Sequence, residues 1–226
     1  MKLFIGKNGN QAMTTYNDVL SKYINDLFVI QDEGLQWTYQ DTPQRGLPAI
    51  SVKPEEGRFL QFLVRACGVR KAVEIGTLGG YSGIWIARGL AKDGKLITLE
   101  KEAFHAKVAR EHFEAAGVAE RIEIRIGNAH ETLDALKQEG PFDFVFIDAE
   151  KPGYEAYYDW AIENLRPGGV IAAHNAFRKG SVAGTVEDDD YSAGMRAFNQ
   201  RVAKDQRVIS TIFPAGDGIL VAVKTD

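Results

Sequence analysis

The chain has 226 residues, 45% of them hydrophobic and 26% charged, and a formal net charge of −4. That length suits one α/β domain with a full core and a short extension. No basic run of the kind that tracks nucleic acid occurs, and no apolar run approaches the ~20 residues that cross a bilayer. Neither a nucleic acid nor a membrane is therefore expected as a partner. The single cysteine, Cys67, excludes an internal disulfide and suits a reducing compartment, where it reads as a buried structural thiol. The N-terminus lacks a charged-then-apolar leader pattern, so a cytoplasmic location is expected.

In chain order, residues 14–31 predict a helix with Tyr16, Val19, Leu20, Tyr23, Ile24 and Leu27 on one apolar face. Residues 35–47 are polar and turn-rich. Pro54 sits where a helix opens, with Phe59, Leu60, Phe62 and Leu63 facing the core. Strands are predicted at 72–75, 95–99, 122–126, 142–147, 170–173, 208–213 and 218–223. Helices are predicted near 81–91, 102–116, 129–138, 153–164 and 192–205. Strand–helix alternation argues for a Rossmann-like, doubly wound α/β sheet of seven strands, with helices on both faces. Only Pro214-Ala215-Gly216-Asp217 joins the last two strands, so the C-terminal strand is expected to run antiparallel. Residues 1–53 then read as a helical extension and residues 54–226 as the α/β domain.

The turn after the first strand, Glu74-Ile75-Gly76-Thr77-Leu78-Gly79-Gly80-Tyr81-Ser82-Gly83, carries the strongest signal. A strand, a glycine-rich turn and a helix bring backbone close to a nucleotide-like ligand. A dinucleotide fingerprint needs glycine at 78, and leucine stands there. Glu74 would repel a phosphate but accept hydrogen bonds from an ammonium or a ribose hydroxyl. S-adenosylmethionine, cationic and free of phosphate, fits that turn. A nicotinamide-dependent oxidoreductase is disfavoured for the same reasons.

Ligands of such sheets bind at the carboxyl ends of the strands. Glu100 ends the second strand, placed to take both ribose hydroxyls, or alternatively to charge the helix that follows. Gly127-Asn128-Ala129 follows the third strand, where a plain turn competes with an adenine contact. The fourth strand ends Asp148-Ala149-Glu150-Lys151, three charges behind an apolar run, which calls for a metal, cofactor or substrate as partner unless it is a solvated loop with an Asp cap. The fifth ends Ala173-His174-Asn175. Asp148, His174 and Asn175 are thus expected to converge as ligands of a divalent ion.

With those residues in place the sequence resembles the catechol and caffeoyl-coenzyme A O-methyltransferase family. The resemblance runs from Glu74-Ile75-Gly76 and Gly80-Tyr81-Ser82 through Phe142-Asp143-Phe144, Asp148-Ala149-Glu150-Lys151 and Leu165-Arg166-Pro167-Gly168-Gly169. It continues to Gly180-Ser181-Val182 and Pro214-Ala215-Gly216-Asp217-Gly218. It implies a homodimeric class I enzyme using S-adenosylmethionine and a magnesium- or manganese-type divalent metal on a small phenolic acceptor. It also implies that the extension, residues 1–53, caps an acceptor site or joins a dimer contact and that residues 54–226 are a S-adenosylmethionine-dependent methyltransferase domain. By position, Glu74, Gly76, Ser82, Glu100 and Asp148, with backbone around Val52, Gly127 and Ala129, would hold the cofactor. Asp148 and Asn175 match two metal ligands, and Lys151 matches the general base.

His174 departs from this pattern, which has aspartate there. Imidazole suits zinc, iron, nickel or copper better than magnesium. Three alternatives follow: a metal of altered preference, a metal-free site in which His174 is a base or orients the acceptor, or a cofactor-binding module without turnover. Trp37, Tyr39, Tyr154, Tyr157, Phe177 and Tyr191 are aromatics in or near predicted loops; some could wall an aromatic acceptor, while each alone reads equally as a core or surface filler. Residues 178–191, with the acidic run 187–190, read as a mobile loop over the site. A methyltransferase of nucleic acid or protein is disfavoured by the low basic charge.

Overall fold

The computed structural model describes residues 16–226. Residues 14 and 15 of the first expected helix lie outside the described residues. Two helices come first, α1 (Asp18–Phe28) and α2 (Glu33–Gln44), then α3 (Pro54–Ala66). The alternating part runs β1 (Lys71–Ile75), α4 (Tyr81–Gly89), β2 (Lys95–Glu100), α5 (Ala103–Ala115), β3 (Ile122–Ile126), α6 (Ala129–Leu136), β4 (Phe142–Ile147), α7 (Tyr154–Asn164) and β5 (Leu165–Ala173). It closes with α8 (Ser192–Lys204), β6 (Val208–Phe213) and β7 (Ile219–Lys224).

The strands form one sheet in the order β3-β2-β1-β4-β5-β7-β6. β7 inserts between β5 and β6 and runs antiparallel to both; the other pairings are parallel. The hairpin geometry of Pro214–Asp217 dictates this, because so short a turn can only reverse the chain. The strand order reverses between β1 and β4, so the carboxyl ends of these two strands open the ligand crevice.

β4 reads Phe-Asp-Phe-Val-Phe-Ile, and every residue but Asp143 is buried. Each fully buried phenylalanine contributes about 1.5–3 kcal/mol of hydrophobic stabilisation. Asp143 accepts hydrogen bonds from the Arg70 and Lys71 backbone N–H groups, both at 2.8 Å, and from Arg166 Nε at 2.5 Å. It thereby sets the start of β1 against β4. Val73, Ile75, Val145 and Ile147 join the core under α7 on one side of the sheet, while Ala72, Phe144 and Phe146 join the core under α3 and α4 on the other.

Three expectations are corrected. Residues 35–47 are largely helical: α2 opens on Asp32, whose carboxylate accepts from the Leu35 N–H, and buries Leu35, Thr38 and Thr42. The polar surface of this helix hid its periodicity, since two of its buried positions are threonines. The apolar face of α1 is only partly covered, with Val19, Tyr23 and Leu27 exposed. Cys67 is half-buried rather than fully enclosed, and burial still pushes its thiol pKa up. Among the described residues no helix is long and apolar enough to cross a membrane.

Candidate active site

The glycine turn after β1 is built by close approach. Gly76 has φ +100°, and a Cβ there would lie 2.2 Å from the Asp148 carbonyl oxygen. Glycine is thus required both by conformation and by the neighbouring strand end. Leu78 occupies the left-handed region at φ +50°, which costs a leucine conformational energy. Its N–H donates to Glu100 Oε2 at 2.8 Å, and the Glu102 N–H donates to Oε1 at 3.0 Å. Glu100 therefore holds the turn in place while standing at the carboxyl end of β2.

Glu74 lies beneath this turn with no exposed surface. Ser82 Oγ donates to its Oε1 at 2.6 Å and Thr98 Oγ1 to its Oε2 at 2.7 Å. Burial raises its pKa to about 7 against the lowering by those two hydroxyls, with the charges of Asp148 and Glu100 adding to the rise. Direct contact with an ammonium or ribose, as the sequence suggests, is not how this carboxyl is placed. It braces the turn from below and joins α4 to β2. Ser82 is buried in the same pairing. Val52 is buried in the same core cluster as Leu60 and Trp85. Gly127 and Ala129 are half-buried, and Asn128 caps α6 by accepting from the His130 N–H.

At the ends of β4 and β5 the charges pair among themselves. His174 is 4% exposed. Its Nδ1 lies 3.2 Å from Asp148 Oδ2 and its Nε2 3.1 Å from Glu56 Oε1. Glu56 comes from the first turn of α3 and has no exposed surface. It also accepts from the Lys53 N–H at 2.7 Å and the Asp217 N–H at 3.0 Å. Burial works against a charged imidazole, but Asp148 and Glu56 prevail and raise the His174 pKa to about 10. Burial likewise opposes ionisation of Asp148; His174 and Lys151 outweigh it and hold that carboxyl below its ordinary value.

Lys151 Nζ lies 2.7 Å from the Tyr154 hydroxyl, 3.3 Å from the Ala149 carbonyl oxygen and 3.5 Å from Asp148 Oδ1. Burial depresses its pKa, and Asp148 offsets part of that. The result is a lysine that gives up its proton more readily than one in water, held beside a partly exposed carboxylate.

The expected convergence of Asp148, His174 and Asn175 is half met. Asp148 and His174 touch, but Asn175 turns away, its amide nitrogen donating to Asp217 Oδ2 at 3.0 Å. As a ligand set for a divalent ion the three do not fit. His174 has both ring nitrogens committed to carboxylates, and Asp148 is the only carboxylate of the three. Among the described residues no group of three or more His, Cys, Asp or Glu is arranged to hold a metal ion.

The aromatic wall also differs from expectation. Tyr154 and Tyr157 are buried, and Tyr157 donates to Glu150. Trp37 and Tyr39 belong to α2, where Trp37 stands edge-on to His112 at 4.7 Å. Phe177 packs beside Gly218. Residues 178–191 make several side-chain pairings: Arg178 with Asp189, Asp188 with Arg196 of α8, and Ser181 Oγ with Ser192 Oγ at 2.7 Å.

Sequence reasoning missed Glu56, Asp217, His112 and Asp41. His112 Nδ1–H donates to the Gly79 carbonyl at 2.7 Å, and its Nε2 lies 3.0 Å from Asp41 Oδ2. It ties α2 and α5 to the glycine turn. Glu56 carried a signal, since Pro54-Glu55-Glu56 opens a helix with an acid at the capping-box position. His112 carried none that separates it from a helix surface residue.

The family model described as O-methyltransferase matches residues 26–225. The chain belongs to the O-methyltransferase family. A catechol O-methyltransferase of Niastella koreensis is 42% identical over 192 residues, covering 84% of this chain and 87% of that one. Among solved structures, the O-methyltransferase from Bacillus cereus in complex with SAH superposes with a TM-score of 0.84 at 39% identity, over 92% of this chain and 97% of that one. The O-methyltransferase TomG from Streptomyces achromogenes, in complex with SAM, gives a TM-score of 0.82 at 36% identity, over 92% and 96%. The resemblance carried by the motifs thus holds at the level of the family, and the sheet of this O-methyltransferase is the one its motifs imply.

Proposed function

We propose that this O-methyltransferase moves a methyl group from S-adenosylmethionine to the hydroxyl oxygen of a small phenolic, catechol-like acceptor, with Lys151 as general base. The observation that carries the reading is adjacency. The turn after β1 and the Asp148–Lys151 cluster meet where Gly76 abuts the Asp148 carbonyl. A cofactor over the turn and an acceptor over Lys151 are thereby neighbours.

S-adenosylmethionine, when bound, supplies an activated methyl group on a sulfonium. The residues around it fit such a ligand: left-handed Gly76 and Gly80 keep side chains out of the turn, and Glu100 stands at the end of β2 with lone pairs left for ribose hydroxyls. Glu74 acts through the turn, by holding Ser82 and Thr98.

The protein's own contribution is to align two reactants and receive one proton. A phenol has a pKa of about 10. Lys151 in its neutral form takes the phenolic proton on Nζ as the oxygen–methyl bond forms and the methyl–sulfur bond breaks, leaving the thioether and the methyl ether. The Tyr154 hydroxyl and Ala149 carbonyl fix the position of Nζ.

The test is calorimetric titration with S-adenosylmethionine and, separately, NAD, followed by labelled-methyl transfer to a panel of phenols. Binding of the first only, with label recovered in a phenolic ether, is expected. Tight S-adenosylmethionine binding with no transfer to any phenol would make the chain a binding module instead.

A further inference from the structure

One ring links four separate parts of the chain at the edge of the acceptor site. His174 extends from β5 and reaches Asp148 after β4 with one nitrogen and Glu56 of α3 with the other. Through Glu56 it reaches Asp217 of the β6–β7 turn. A neutral imidazole carries one N–H, yet both ring nitrogens face carboxylate oxygens. Only the doubly protonated ring satisfies both contacts with donors. Glu56 has no solvent-exposed surface, and Gly216 presses so close that a Cβ there would lie 2.2 Å from the Glu56 carboxyl carbon.

We propose that His174 fills, between Asp148 and Glu56, the place a divalent cation would take, and that the acceptor therefore needs one ionisable hydroxyl rather than a chelating vicinal pair. This rests on the methyl-transfer reading above and concerns the same site. A single positive charge there is fixed by the fold, bonded at both ends and shielded from solvent. A metal ion on Asp148 would have to sit against that charge. Admitting the ion by removing the Nδ1 proton would turn a donor into a lone pair facing carboxylate, and displacing the ring would leave Glu56 buried with backbone donors alone. The hydroxyl to be methylated is then oriented by Asp148 and deprotonated by Lys151, and no second oxygen on the ring is called for.

The full-length protein, saturated with S-adenosylhomocysteine, is titrated with manganese and the free-ion EPR signal followed. Wild type is expected to leave manganese free up to about 1 mM, while His174→Asp binds about one equivalent at least about tenfold more tightly. Stoichiometric sub-millimolar binding by wild type, lost in Asp148→Ala, would overturn the proposal. So would a folded His174→Asp that binds no better than wild type. If that variant does not fold, nitrogen-15 shifts of His174 in wild type decide. Two protonated ring nitrogens, unmoved by manganese or magnesium, are expected, and a bare or metal-bound nitrogen would overturn it. In turnover, EDTA is expected to leave the rate unchanged on a monohydroxy phenol and on its vicinal diol alike; EDTA-sensitive turnover confined to the diol would count against the proposal. Manganese binding involves no acceptor, so this inference and the transfer reaction can fail separately.

Discussion

Gly76 and Asp148 are in contact through their backbones: a β-carbon at 76 would come 2.2 Å from the Asp148 carbonyl oxygen. The residues that directly follow β1 and β4 are thereby pressed together, which sets the separation between the glycine turn and the Asp148–Lys151 cluster. Gly76→Ala must push these strand ends apart and hold alanine at φ +100°. We expect a loss of about 2–4 kcal/mol in stability, from overpacking and backbone strain together. S-adenosylmethionine affinity should fall with it. Urea unfolding and calorimetry on the variant check both, and wild-type values in both would contradict the packing account.

Glu74 gives a pH signature. Its pKa in the fold is about 7, against 4.5 for an unperturbed glutamate. Between these values the folded state keeps a proton that the unfolded chain has lost. The stabilising contribution is complete below pH 4.5 and disappears as pH rises through about 7, and its size is on the order of 3 kcal/mol. Glu74→Gln keeps an acceptor for Ser82 and removes the titration. Between pH 4.5 and 8 the wild type should therefore lose stability relative to this variant. Denaturant midpoints of both proteins at several pH values measure the difference. Parallel curves would mean that the fold does not raise the Glu74 pKa above its ordinary value.

His112 should matter to the cofactor although it faces α2 and lies outside the groove. Its ring holds the Gly79 carbonyl and Asp41, and α2 closes over the turn so tightly that a Cβ at Gly79 would meet Thr42 Oγ1 at 2.2 Å. His112→Leu leaves the buried Gly79 carbonyl without its donor and removes the ring from Asp41, which keeps Arg45 at 3.4 Å, at a cost of about 1–3 kcal/mol for an unpaired buried group. We expect lower thermal stability and S-adenosylmethionine affinity reduced about tenfold, a coupling of about 1.4 kcal/mol. Unchanged affinity in a destabilised variant would show that the helix braces the fold without touching the turn's geometry.

The sheet was legible because its signals are local. Apolar strands end in glycine or acid, and the Pro214–Asp217 turn is too short for a crossover. The strand-end residues Glu100, Asp148, Lys151 and His174 were legible for the same reason. What stayed hidden depends on contacts remote in sequence. Glu56 meets His174 across 118 positions, and Asp41 meets His112 across 71. Nothing in either local pattern announces such a partner. α2 was missed because Thr38 and Thr42 bury polar side chains by bonding back to the Gly34 and Thr38 carbonyls, which erases the apolar stripe. Glu74 stands near the end of β1 as the sequence implies, but spacing alone did not reveal that its carboxyl is buried against Ser82 and Thr98.

The most direct measurement is single-turnover methyl transfer by Lys151→Ala, with S-adenosylmethionine affinity measured on the same preparation and the wild-type rate followed against pH. The assignment of Lys151 as base predicts a rate lower by about 10²–10⁴-fold with affinity nearly unchanged. It also predicts a wild-type rate that climbs with pH as Lys151 loses its proton, at a midpoint below the 10.5 of a free lysine because burial favours the neutral amine. The variant should lack that limb. A Lys151→Ala enzyme with the wild-type rate and the wild-type pH profile would contradict the mechanism.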